Sequence, residues 1–189
     1  MTTLDTLRES LPDYARDLSL NLGSVLAPSG APGLTESRIW AIALASAIAS
    51  RNVGFSRDIE ALAAARLDAA HLKAAHAAAA IMAMNNVYYR FLHLAGDDEY
   101  ARMPARLRMN VIGNPGIDKL DFELLCLAVS AINGCGMCIE SHEKQLRQHG
   151  VTREAVQSAV RIAATVHAVA RVLESASEPA AGSDAAQAA

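Results

Sequence analysis

Cys135 and Cys138 stand at C-x-x-C spacing within Asn133-Gly134-Cys135-Gly136-Met137-Cys138-Ile139-Glu140-Ser141-His142. At the start of a helix, this spacing puts the second sulfur about one turn inside, on the same face as the first, so the two can close a small disulfide ring. Free backbone N–H groups and the helix dipole there stabilise a thiolate and lower its pKa. Gly134 and Gly136 leave the backbone around the sulfurs open. His142 follows Cys138 by four residues and shares its helix face, where an imidazole can take or return a proton near neutral pH. Glu123 lies twelve residues before Cys135. If its helix packs antiparallel or steeply against the next, its carboxylate reaches the same pocket, orients His142 and serves as the more distant proton acceptor.

Each member also has a plainer use. The cysteine pair can be ordinary core. Cys135, Cys138, His142 and Glu123 also have the donor types of a zinc site, although no second Cys or His pair lies nearby in the sequence. Taken singly, His142 reads as a surface residue and Glu123 as a solvated helix charge. Cys126, the third cysteine, reads as a small core hydrophobe. Trp40, Met82 and Met84 read as core or subunit contact. Asn85 and Asn86 either line a pocket or end a turn, and the turn reading is preferred. His71, His76, His93, His149 and His167 are scattered and receive no role.

The elements that must position the cysteines are helical. Hydrophobic residues make up 52% of the 189 and aromatics only 4%, so the apolar content is mostly Ala, Leu, Val and Ile. That composition favours closely approaching helices, and a chain of this length buries a core without disulfide staples. Net charge is -3, with no long run of Lys or Arg, which argues against nucleic-acid binding. No secretory leader is expected, because Asp5, Arg8 and Glu9 interrupt the first apolar stretch. The least charged stretch, Ile39 to Ser50, is too short to span a bilayer. A cytoplasmic protein is expected, in which two cysteines at this spacing indicate redox or metal chemistry rather than a disulfide framework.

Along the chain, residues 1–26 read as one or two helical pieces, with Pro12 opening the second. After the Pro- and Gly-rich loop Ala27 to Gly33, Thr35 caps a helix running through Trp40 to about Ser50. Residues 56–66 form a short helix, and Asp68 caps a long one to about Leu94. Asp97 to Pro104 is a polar break, and Gly113-Asn114-Pro115-Gly116 a turn. A helix from about Asp118 to Ile132 ends at Gly134. Cys135 opens the next, which stops at His149-Gly150, and Thr152 begins the last, to about Ser175. The tail from Ser177 is expected to be disordered. No segment reads as a strand, so the chain is all-α, one domain over 1–176. A weak internal repeat relates about 35–95 to 118–175: Ala45-Ser46-Ala47-Ile48 resembles Val129-Ser130-Ala131-Ile132, and the same offset superposes Asp68 on Thr152. It sets Arg51 and Gly54 opposite Cys135 and Cys138, so the second half alone carries the cysteine site.

The pattern of Glu123, Cys135-x-x-Cys138 and His142 resembles the alkyl hydroperoxidase D (AhpD) family, of the carboxymuconolactone decarboxylase-like superfamily. Leu11-Pro12-Asp13-Tyr14-Ala15, Ala80 to Arg90, Leu107-Arg108-Met109-Asn110 and Asn114-Pro115-Gly116 are also similar to that family, so the likeness spans about residues 4 to 173. It implies an all-helical homotrimer whose subunits have two related halves. It also implies an antioxidant enzyme that reduces alkyl hydroperoxides and the oxidised peroxiredoxin AhpC. Dihydrolipoamide, carried on a dehydrogenase-complex acyltransferase with a flavin dehydrogenase upstream, would then reduce its disulfide; no bound cofactor or metal is implied. By resemblance, Cys138 attacks the peroxide and passes through a sulfenic acid, Cys135 resolves it as a disulfide, and Glu123 and His142 form the proton relay. Some members carry His just before the second cysteine. Here Met137 stands there, which implies slower direct peroxide reduction with thiol exchange intact. A decarboxylase acting on a lactone and a zinc-stabilised helical binding module are the alternative expectations.

Overall fold

The computed structural model describes residues 2–177, and among them there are ten α-helices, two short 3-10 turns and no strand. The helices are α1 (Leu4–Glu9), α2 (Arg16–Val25), α3 (Glu36–Ala49), α4 (Val53–Ala64), α5 (Ala69–Ala95), α6 (Asp98–Arg102), α7 (Asn110–Gly113), α8 (Lys119–Asn133), α9 (Gly136–Gln148) and α10 (Arg153–Ser177). Ser177, the last described residue, is helical, and the rest of the tail expected to be disordered lies outside the described residues. No described helix is long and apolar enough to cross a membrane.

Most boundaries follow from side chains that satisfy the orphan N–H groups of a first turn. Thr35 accepts from the Arg38 N–H, Asp68 from His71, Asp118 from Leu120 and Asp121, and Thr152 from Ala155. Two boundaries differ from those read in the sequence. The short helix starts at Val53 rather than 56, because Asn52 caps it by accepting from the Phe55 N–H at 2.9 Å. The polar break from Asp97 holds α6, capped by Asp97, with Asp98 and Glu99 in its first turn and Arg102 in its last, the signs that the helix dipole favours.

The core is built on α3 and α8, which pack on each other, with α5 and α10 each packed on both. In α3 all nine residues from Ile39 to Ala47 are buried, as are Phe122 and Leu124 through Ser130 in α8. Helices that are apolar all round belong at the centre. α5 presents Ala74, Ala75, Ala78 and Ala79 to this core, and their small side chains let its axis come close. Arg38 on α3 meets Asp121 on α8 at 2.6 Å and ties the first turns of the two central helices together. α9 packs against α8 and α5, and so carries its residues into the angle between them.

Cap geometry keeps the sequence offset at Asp68 and Thr152, which open α5 and α10, but sets the correspondence one residue away at the preceding helices. Thr35 and Asp118 open α3 and α8. Arg51 and Gly134 follow these helices in left-handed conformation, with φ of 66° and 67°. Asn52 and Cys135 then cap α4 and α9. Asn52 and Phe55, rather than Arg51 and Gly54, therefore stand where Cys135 and Cys138 stand in the second half. The second stretch carries one more residue between the caps Cys135 and Thr152 than the first does between Asn52 and Asp68.

α10 is tied to the end of α3 by His167, whose Nδ1 lies 3.2 Å from the Ser50 hydroxyl. Burial, and then the charge of Arg171, push the His167 pKa below its ordinary value. The folded state therefore favours neutral His167, and the unfolded chain binds its proton more readily. This contribution is complete above the ordinary His range near 6.5 and is lost as pH falls through the lower folded value. His167→Gln is expected to lose less stability than the wild type between pH 7.5 and 5.5, read as the shift in urea midpoint; equal shifts in the two proteins contradict this.

Candidate active site

The site begins with the way α8 ends. Gly134 adopts φ 67°, and its N–H bonds back to the carbonyls of Ala131 and Ser130. The Cys135 N–H closes a further bond to the Ser130 carbonyl at 3.1 Å. This left-handed ending, which glycine adopts without steric cost, reverses the chain so that Cys135 becomes the N-cap of α9. The Cys135 sulfur accepts from the Cys138 N–H at 3.3 Å. Cys135 and Cys138 are joined as a disulfide, with Cα atoms 5.3 Å apart.

A chain of polar contacts straps the end of α8 to α5. The Asn86 amide donates to the Ser130 hydroxyl at 2.9 Å, and the Asn133 amide donates to Asn86 Oδ1 at 2.9 Å. Arg90 donates to the Asn133 carbonyl at 2.6 Å. Every link lies within four residues of Gly134 or on the facing turns of α5, so the turn that carries the cysteines is held against α5.

The two sulfurs are unequal. Cys135 is fully enclosed, whereas Cys138 keeps 6% of its surface exposed and alone of the pair lines a cavity of about 330 Å³. One turn along α9, His142 lines the same cavity. Its Nδ1 is 2.6 Å from Oε2 of Glu123 on α8, and both side chains are largely buried. Glu123 thus holds one ring nitrogen and leaves Nε2 as the one available to the cavity. The four residues singled out in the sequence are brought together.

The rest of the wall is mainly apolar. Met82 and Tyr89 come from α5, Met109 and Ile112 from the segment before α8, and Met137 from α9. Met137 is 36% exposed and stands beside Cys138 with no proton to give. Ser141 and Gln145 are exposed residues of the same wall.

The preferred turn reading of Asn85 and Asn86 does not hold, because both are buried in mid-α5. Asn86 belongs to the strap. Asn85 lines the cavity, and its Oδ1 has no hydrogen-bond partner. An amide left in that state costs about 1–3 kcal/mol. The available signal was periodicity, since Met82, Asn85 and Tyr89 fall on one helix face.

Cys126 is a core residue as expected. Burial, and secondarily the negative charge of Glu123, push its thiol well above the ordinary range. Trp40 and Met82 are buried and Met84 half-buried. Among the described residues no group of three or more His, Cys, Asp or Glu side chains is arranged to hold a metal ion. The disulfide also removes both thiolates from a zinc donor set, so the zinc-site reading finds no support in the donor geometry.

An all-helical core with a C-x-x-C disulfide at a helix start, backed by a His–Glu pair, defines a helical protein equipped for thiol–disulfide exchange. Residues 98–189 match the carboxymuconolactone decarboxylase family. The alkyl hydroperoxide reductase AhpD of Rhodospirillum centenum is 55% identical over 172 residues, covering 91% of each chain. That of Gluconacetobacter diazotrophicus is 56% identical over 184 residues, 95% of this chain and 99% of its own. That of Streptomyces coelicolor is 54% identical over 172 residues, 91% of this chain and 95% of its own. The chain belongs to the AhpD family.

Proposed function

We propose that this chain is an antioxidant oxidoreductase that reduces alkyl hydroperoxides and regenerates the oxidised peroxiredoxin AhpC. The observation that carries the reading is the placement of Cys138: of the two bonded sulfurs, its own faces the cavity, one helix turn from a histidine held by a carboxylate. The names of the relatives support the alkyl hydroperoxide substrate, and AhpC as partner is what the family resemblance implies. Dihydrolipoamide, presented by a lipoylated acyltransferase with a flavin dehydrogenase upstream, is the proposed reductant. The proposed setting is a cytoplasmic homotrimer.

In the reduced protein, His142, oriented by Glu123, takes the Cys138 proton. The thiolate attacks the terminal peroxide oxygen, forming an S–O bond as the O–O bond breaks. The departing alkoxide receives the proton from His142 and leaves as an alcohol. Cys135, too enclosed to meet a peroxide itself, attacks the Cys138 sulfenic acid and forms the disulfide with loss of water. A dithiol then attacks the Cys138 sulfur from the cavity, is itself oxidised to a disulfide, and restores both thiols. A lactone decarboxylase is the second reading, favoured by the family match over residues 98–189; it leaves the paired thiols without a task.

The reduced protein has three thiols. One equivalent of cumene hydroperoxide is expected to remove two of them and two hydrogens of mass, leaving Cys126, which reacts with a thiol reagent only after unfolding. Cys138→Ser is expected to form no disulfide. Three surviving wild-type thiols contradict the reading. Met137→His adds a proton donor beside Cys138 and is expected to speed peroxide reduction about tenfold or more, with little change in dithiol exchange. An unchanged peroxide rate contradicts the view that Met137 slows this step.

A further inference from the structure

Asn85 sits one turn of α5 beyond Met82 and one turn before Tyr89, on the face that closes the cavity over Cys138. It is 4% exposed. Its neighbour Asn86 uses both ends of its amide, on Ser130 and Asn133. Asn85 makes no hydrogen bond among the described residues, and its carbonyl oxygen is buried without a partner. Asn is a poor helix former, and an unpaired amide in an apolar wall is unfavourable. Packing alone is better served here by an apolar side chain, like the Met and Ile residues of the surrounding wall. A group of this kind, enclosed and unpaired beside a reactive sulfur, is accounted for by a ligand that completes it.

The other polar groups of the wall do not fill that role. Glu123 is engaged with His142 Nδ1, and the remaining ring nitrogen is committed to the proton transfer. The Tyr89 hydroxyl is directed to the Met109 sulfur at 3.8 Å. Ser141 and Gln145 lie on the exposed side. Asn85 therefore carries an unpaired acceptor and a donor on one neutral group in the cavity wall. A hydroperoxide needs that pair. Its O–H requires an acceptor, and its carbon-bonded oxygen requires a donor as it takes on negative charge.

We propose that Asn85 binds the –OOH group of the substrate, accepting from the peroxide O–H and donating to the oxygen that leaves as alkoxide. This rests on the peroxidase reading above and extends it. The amide exchanges no proton and no electrons. It holds the O–O bond in line with the Cys138 thiolate and stabilises the charge that His142 then neutralises.

The test uses the full-length reduced protein, cumene hydroperoxide as the probe, and Asn85→Leu with Asn85→Ala as a second variant should the larger side chain disturb packing. The second-order rate constant for loss of two thiols is expected to fall about tenfold in both. The urea midpoint of Asn85→Leu is expected to equal or exceed that of the wild type, since no hydrogen bond is lost. Reduction of the disulfide by dithiothreitol is expected to stay within about twofold. An unchanged peroxide rate in either folded variant overturns the proposal. So does a parallel fall in urea midpoint and in both rates, which would make Asn85 structural. A wild type that loses no thiols to cumene hydroperoxide sinks the peroxidase reading itself and the –OOH ligand with it, an outcome distinct from a reactive wild type with equally reactive variants.

Discussion

A single left-handed residue sets up the chemistry. Gly134 at φ 67° ends α8 and turns the chain within one residue, so that Cys135 caps α9 and Cys138 lies one turn inside it. Helix periodicity then gives His142 the next turn on the same face, and the antecedent helix brings Glu123 alongside. A side chain bearing Cβ is unfavourable in that conformation by about 1–2 kcal/mol. Arg51 adopts it at the corresponding turn of the first half, where no cysteine follows. The geometry of the turn thus occurs twice, and the sulfur chemistry once.

Around this turn the protein separates rigidity from reactivity. The strap through Asn86, Ser130, Asn133 and Arg90 satisfies every polar group it buries, as a polar network inside a core must. Across the cavity, Asn85 is left unpaired and Met137 is left exposed. The wall between them is largely apolar, which suits an organic tail better than bulk water and makes the His142–Glu123 pair, held at 2.6 Å, electrostatically stronger than it would be in solvent. The enclosed Cys135 is protected from direct oxidation yet remains within bonding distance of Cys138, an asymmetry suited to a resolving thiol.

Much of this was legible because its causes are local. Thr35 and Asp68 cap the helices they were expected to cap, Asp118 and Thr152 cap helices they were expected to begin, and Gly134 and Gly150 end theirs, since each of these boundaries depends on a few neighbouring residues. Cys135, Cys138 and His142 lie on one helix, so their face follows from spacing. Glu123 was different. Its arrival depends on the packing of α8 against α9, which spacing permits but does not require, so the residues offered it only as a condition and the family resemblance added weight to it. Asn52 was missed as a cap because its helix was read as starting at the stronger pattern three residues later. Asn85 was misread because burial in a mid-helix cavity is a tertiary fact, and its neighbour Asn86 offered the same letters with a structural use. The offset read in the sequence holds at Asp68 and Thr152 but differs by one residue at the turns after α3 and α8, because alanine-rich helices slide against one another without losing similarity.

The proposed relay makes Glu123 act through His142 rather than beside it. A double-mutant cycle measures this directly: the second-order rate constant for peroxide-driven loss of two thiols, in wild type, Glu123→Gln, His142→Gln and the double variant. If Glu123 orients and supports His142, each single variant slows the reaction and the double variant is no slower than His142→Gln alone. If the losses multiply, the two residues act independently, and the relay as described here is wrong.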